Sequence, residues 1–181
     1  MTRGKMLLAA IGVALILALA WSWWVGEAPP PRHRWLPELQ FGSEKLVALD
    51  IDAPEGQAII RARLTADGWY DERRQQPLAV EPLAAFIVAL ARVEIISAET
   101  SLVRNYHQYN QLMPGAGAHS AWRVALRSRG GYDRTLYIGQ TAHGTYGRDS
   151  ADPLVFGLNA PLPLPSPTAD AWLAEPQPAQ P

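Results

Sequence analysis

KLVALDIDAPEGQAIIRARLTADGWY, running from Lys45 to Tyr70, carries two successive hairpin signals and decides the fold class. Lys45 to Asp52 alternates apolar with other side chains, the period of a strand whose two faces meet different surroundings. Pro54-Glu-Gly56 supplies a turn, and Gln57 to Thr65 continues as the antiparallel partner. Ala66-Asp67-Gly68 is a second turn, because glycine accepts positive φ, and Trp69-Tyr70 opens a third short strand. The stretch is a β-meander.

Downstream the period changes. Between Pro77 and Val93, the residues Leu83, Phe86, Ile87, Leu90 and Ala91 recur at helical spacing, with Glu81 and Pro82 in the first turn and Arg92 near the end. Val80, Val88 and Ala89 widen this apolar surface, which predicts a helix covered on more than one side. Core burial, rather than docking of a partner, is the expected reason for such a face. Glu94 to Ser97 reads as a short strand, and Leu102 to Leu112 fits either a helix or an irregular loop.

After the loop Met113-Pro-Gly-Ala-Gly117, Ala121 to Arg127 sets Trp122, Val124 and Leu126 on one face and Arg123, Ala125 and Arg127 on the other. Gly130-Gly131 turns the chain into Thr135 to Gly139. Gly144 to Arg148 and Leu154 to Leu158 then extend a second meander, and Ala169 to Leu173 forms a closing turn that places Trp172 and Leu173 over the core. Antiparallel β-meanders packed around one main α-helix make the expected class α+β.

Outward from this domain, Met6 to Val25 reads MLLAAIGVALILALAWSWWV, twenty positions without a charge. At about 1.5 Å per residue that spans a hydrocarbon core of about 30 Å. Arg3, Lys5 and the amino terminus favour retaining residues 1–5 in the cytoplasm, so 6–25 reads as a single-pass transmembrane anchor. A second reading of the same stretch is a signal peptide cleaved after Ala20, since Ala18-Leu19-Ala20 has the small-x-small pattern. Trp21, Trp23 and Trp24 favour the anchor, because amphipathic rings cluster at the membrane interface. Under either reading the domain lies outside the cytoplasm, in the periplasm of a bacterial inner-membrane protein. Residues 26–36, with Pro29-Pro-Pro31, form an extended spacer; 37–173 is the external domain; 174–181 is a proline-rich tail of disordered composition.

Among its 181 residues the chain has no cysteine, which removes disulfides, thiolate metal sites and cysteine nucleophiles together. A net charge of −1 with scattered arginines builds no basic face for nucleic acid. His33, His107, His119 and His143 fall in no metal-binding spacing, and each lies in an expected linker or loop. Asp50 and Asp52 share one face of a strand, as paired acid-base carboxylates or calcium ligands would; a polar strand face is the favoured explanation. His119-Ser120 is an adjacency, not a triad, and Gly115-Ala-Gly117 and Gly130-Gly131 lack the lysine or strand-to-helix context of a phosphate loop. No catalytic residue, cofactor or metal site is expected. Tyr132, Tyr137, Tyr146 and Arg148, with Arg123, Arg127 and Arg134, form the candidate polar-aromatic surface for a protein partner or an anionic glycan.

From Leu46 to Leu173 the chain resembles the bacterial family catalogued as domain of unknown function 4340. The likeness is carried by Gly68-Trp69, Pro77 with the helix to Val93, Leu112 before Pro114, Val124-Ala-Leu126, Leu136-Tyr-Ile-Gly139, Gly144-Thr-Tyr146 with Arg148, and Val155. Asn110-Gln111 departs from it where the pattern places a glycine before the leucine. The resemblance implies an N-terminal anchor, an external α+β domain and, as in some members, association with ABC-type transport systems, including those of gliding motility. It brings no catalytic residues with it.

Overall fold

The structure, a computed structural model, describes residues 33–41, 46–166 and 168–174. The expected anchor, Trp21, Trp23 and Trp24, the proline spacer as far as Arg32 and the tail from Glu175 lie outside the described residues. Among those described, no helix is long and apolar enough to cross a membrane.

The strands are β1 (His33–Arg34), β2 (Leu46–Asp52), β3 (Ala58–Thr65), β4 (Gly68–Asp71), β5 (Gln76–Pro77), β6 (Glu94–Thr100), β7 (Trp122–Ser128), β8 (Asp133–Thr141), β9 (Gly144–Asp149) and β10 (Val155–Leu158). The one α-helix among the described residues is α1 (Val80–Arg92). Short 3₁₀ segments occupy Pro37–Phe41, Val103–Tyr109 and Asp170–Trp172. Both meanders read from the sequence are present. They are not separate units, however: β2 pairs with β7, and all ten strands form one antiparallel sheet in the order β1-β6-β10-β9-β8-β7-β2-β3-β4-β5.

The connection through α1 dictates how this sheet bends. Laid flat, the sheet would put β5 and β6, eight strand intervals apart, about 38 Å from each other at the usual spacing. The 13-residue helix is about 20 Å long, and it joins β5 to β6 through short links, Leu78-Ala79 and Val93. Such a connection fits only a sheet curled around the helix. Register shifts in the β2–β3, β2–β7 and β6–β10 pairs supply local bending of the kind that curling requires.

Inside the curl, Leu83, Phe86 and Leu90 of α1 meet Leu49, Ile51, Ile60, Val124, Leu126, Leu136 and Ile138 from the sheet. Trp35, Leu36 and Leu39 close one side, and Trp172 sets its ring edge-on to Phe86 with centroids 5.5 Å apart. The Ala79 amide, which has no intrahelical acceptor, donates to the Trp172 carbonyl, so the closing turn also satisfies the helix start. The expectation of a helix covered on more than one side is corrected here. Val80 is 68% exposed and Val88 45%: the core fully buries only the Leu83–Phe86–Leu90 stripe and packs partly against Ile87, Ala89 and Ala91 beside it. The helix also begins three residues later than the apolar run suggested, since Pro77 is spent on β5.

Candidate functional site

Alternation along the central strands sends one set of side chains into the core and the other to the opposite face of the sheet. Ile51, Val124 and Leu136 are cross-strand neighbours on the core side. One residue further along, Asp52, Arg123, Tyr137 and Arg148 form a continuous row across β2, β7, β8 and β9 on the other side. Arg123, Arg127, Tyr137, Tyr146 and Arg148 of the expected surface therefore share one face. Tyr132 and Arg134 do not.

Asp50 and Asp52 organise the first half of this face. Asp52 accepts from Arg123 at 2.7 Å and also pairs with Arg61; Asp50 accepts from Arg63 at 2.6 Å and has Arg127 at 3.9 Å. Two carboxylates on β2 thus hold four guanidinium groups drawn from the strands on either side. Neither Asp is left available for acid-base or calcium chemistry. The arginines remain partly exposed, from 26% to 57% of their side chains, and present a cationic stripe to solvent.

Beyond β7 the same face is covered by the 3₁₀ segment Val103–Tyr109 and the residues after it. Two glycine-like features seat this cover. An added Cβ at Gly139 would lie 2.0 Å from the Tyr109 carbonyl oxygen and 2.5 Å from that of Asn110, so only a bare backbone permits the approach. Asn110 itself turns the chain in the left-handed region, at φ 50° and ψ 51°, which asparagine tolerates.

Under this cover lies Arg148, 9% exposed, its guanidinium carbon 4.3 Å from the Tyr137 ring centre and 4.7 Å from that of Tyr106. Tyr106 is fixed by donating its hydroxyl to the Pro153 carbonyl at 2.6 Å. Tyr146 stacks edge-on with Tyr109 at 4.9 Å, and its carbonyl accepts from the buried Gln111 side chain at 3.1 Å. Burial, followed by the nearby charge of Glu99, raises the pKa of Tyr109.

Tyr132 and Arg134 occupy the core side at the sheet's rim. Arg134 lies between Glu38 at 3.7 Å and Asp149 at 3.4 Å and over the Tyr132 ring at 5.5 Å, lining a cavity of about 290 Å³ with Trp35 and Asp152. Burial and the Glu38 carboxylate raise the pKa of Tyr132. A wider cavity of about 470 Å³ lies at the β8–β9 turn, bounded by Gln140, His143 and Pro161.

The remaining candidates disperse. Ser120 Oγ donates to the Gly117 carbonyl, His119 Nδ1 faces the Asn110 side-chain oxygen at 3.1 Å, and Asp50 is held by arginines. The His107 and His119 rings come within 6.1 Å, yet no group of three or more His, Asp or Glu among the described residues is placed to hold a metal. Reading the sequence missed Tyr106 and Gln111, which lie in the stretch that fitted helix or loop equally. It also missed Asp71, fully buried, which accepts from Arg74 at 2.9 Å and from the Arg61 amide at 3.0 Å. The short spacing of Asp71 and Arg74 in a turn after a strand was the available signal.

Comparison with family models, with curated proteins and with solved structures gave no match to this chain.

Proposed function

We propose that this protein is a membrane-anchored, non-enzymatic envelope component whose external domain binds a protein partner through the arginine-tyrosine face of its sheet. The observation that carries this reading is the use of Asp50 and Asp52. Both are committed to holding arginines in place, and the guanidinium groups keep exposed edges that a partner reaches without paying the cost of ordering them. Arginine and tyrosine together supply contact area and directional hydrogen bonds, the composition of binding hot spots. The uncharged segment Met6 to Val25 and the proline spacer support a domain held near the outer surface of the inner membrane. The resemblance to the domain of unknown function 4340 family supports a role beside an ABC-type transporter or another inner-membrane assembly.

The test is capture from membranes with the full chain, comparing wild type with Arg127→Ala and Tyr146→Ala. A partner recovered in stoichiometric amount by wild type and lost by the variants, with thermal unfolding unchanged, is the expected result. Recovery of the protein alone, or equal recovery by the variants, overturns the assignment.

A further inference from the structure

Arg148 is the one arginine among the described residues that is buried, and no carboxylate answers it. Arg61, Arg63, Arg74, Arg123, Arg127 and Arg134 each have an acidic partner; among the described residues Arg148 has no ion pair, and its Nε is shut off from the surface with no hydrogen-bond acceptor. A cation withdrawn from water with unfilled donors is costly, and contacts with two aromatic rings offset only part of that cost. The Gln111 side-chain oxygen, also buried and unpartnered, shows that the layer between the 3₁₀ cover and β8–β9 does not satisfy itself. What Arg148 itself lacks is an acceptor.

The surroundings specify what acceptor fits. Tyr106 and Tyr137 both lie within cation–π distance of the guanidinium, which leaves the N–H donors along its edges to pair. Two parallel N–H groups at such an edge match the two oxygens of a carboxylate. Charge points the same way: Asp52 already serves both Arg61 and Arg123, and Arg148, beyond Tyr137 in the same row, has no carboxylate partner among the described residues, so the position calls for a negative group. The site is also held ready, through the Tyr106 bond to Pro153 and the backbone contact at Gly139.

Resting on the partner-binding reading above, we infer that Arg148, beside Tyr106 and Tyr137, receives an acidic side chain of the partner protein as a carboxylate.

The experiment uses the full chain in lipid nanodiscs with isotope-labelled arginine, following the Nε–H resonance of Arg148, which is assigned by its loss in Arg148→Lys. Sodium acetate is titrated against sodium chloride at equal ionic strength, and inorganic phosphate is titrated in parallel. Acetate should shift this resonance saturably and chloride should not; Tyr106→Phe should keep the response and Tyr106→Leu weaken it. Equal shifts with chloride, or tighter saturation by phosphate, overturn the carboxylate assignment. Arg148→Lys, which keeps the charge and loses the paired edge, should also bind a captured partner about tenfold more weakly. Acetate binding with no partner captured by any form would overturn the partner-binding reading while leaving the carboxylate site standing. Capture that is indifferent to Arg148→Lys, with no acetate response, would overturn this inference alone.

Discussion

Asp52 on β2 accepts a hydrogen bond from Arg123 on β7 at 2.7 Å, across 71 residues of sequence, and with its second oxygen it holds Arg61 on β3. This carboxylate joins the two meanders at the point where the sheet is continuous but the chain is not. Asp52→Ala strands two arginines that are partly solvated, so the loss is screened, and a destabilisation of about 1–2 kcal/mol is expected. Arg127→Ala, which removes only the 3.9 Å contact to Asp50, is expected to stay within about 0.5 kcal/mol. Urea denaturation of the two variants separates these outcomes; equal stability would show that Asp52 does not tie the halves together.

Gly139 is the seat of the 3₁₀ cover. Its Cβ position is blocked by backbone oxygens rather than by a flexible side chain, so Gly139→Ala must lift the segment or displace β8. A cost of about 1–3 kcal/mol is expected, the range for overpacking a fitted contact. Amide exchange reports where the strain goes: protection of Tyr106, Asn110 and Gln111 should fall while that of β2 and β3 is kept. Uniform loss of protection would mean the cover is inseparable from the sheet.

What the sequence made legible follows from what is local. Strand alternation in Lys45 to Thr65 and Ala121 to Arg127, and turn chemistry at Pro54-Glu-Gly56 and Gly130-Gly131, are short-range signals, and the hairpins they predict are present. The β2–β7 pairing and the β6–β10 pairing join segments far apart in the chain, and nothing in either strand alone names its partner. The candidate surface divides for the same reason. Tyr132, Arg134, Tyr137 and Arg148 look alike as residue types, but strand parity puts Arg134 on the core side with Leu126 and Arg148 on the other with Tyr137. Parity was readable; which strands align was not. Tyr106 was hidden further, since 3₁₀ segments have neither the period of a helix nor that of a strand.

The helix offers a contrast between two apolar residues two positions apart. Phe86 is fully buried against Trp172, and Phe86→Ala is expected to cost about 3–5 kcal/mol and to shift the fluorescence of Trp172. Val88 faces away from the sheet, and Val88→Thr is expected to stay within about 0.5 kcal/mol. A large loss from Val88→Thr would instead mean that a second layer covers the helix.

Tyr132 carries a hydroxyl that is buried without a hydrogen-bond partner, and burial together with the Glu38 carboxylate raises its pKa from the ordinary value of 10.0. In the unfolded chain the phenol ionises first as pH rises; in the folded protein it holds its proton longer. The unfolded state therefore binds fewer protons above about pH 10, and folding stability falls with rising pH through the interval between the two values. Tyr109, shifted in the same direction by burial and by Glu99, adds to that fall. Tyr132→Phe removes the ionisable group and the unmet hydroxyl together. It should leave stability at neutral pH unchanged or raise it by up to about 1 kcal/mol, since an unpaired buried hydroxyl is a cost. It should also make the alkaline decline shallower than in wild type. Urea midpoints measured from neutral pH to about pH 11 test both effects, with the window set by the tyrosine values. A drop at neutral pH on substitution would show that the hydroxyl has a partner, and an unchanged alkaline slope would show that Tyr132 ionises as freely folded as unfolded.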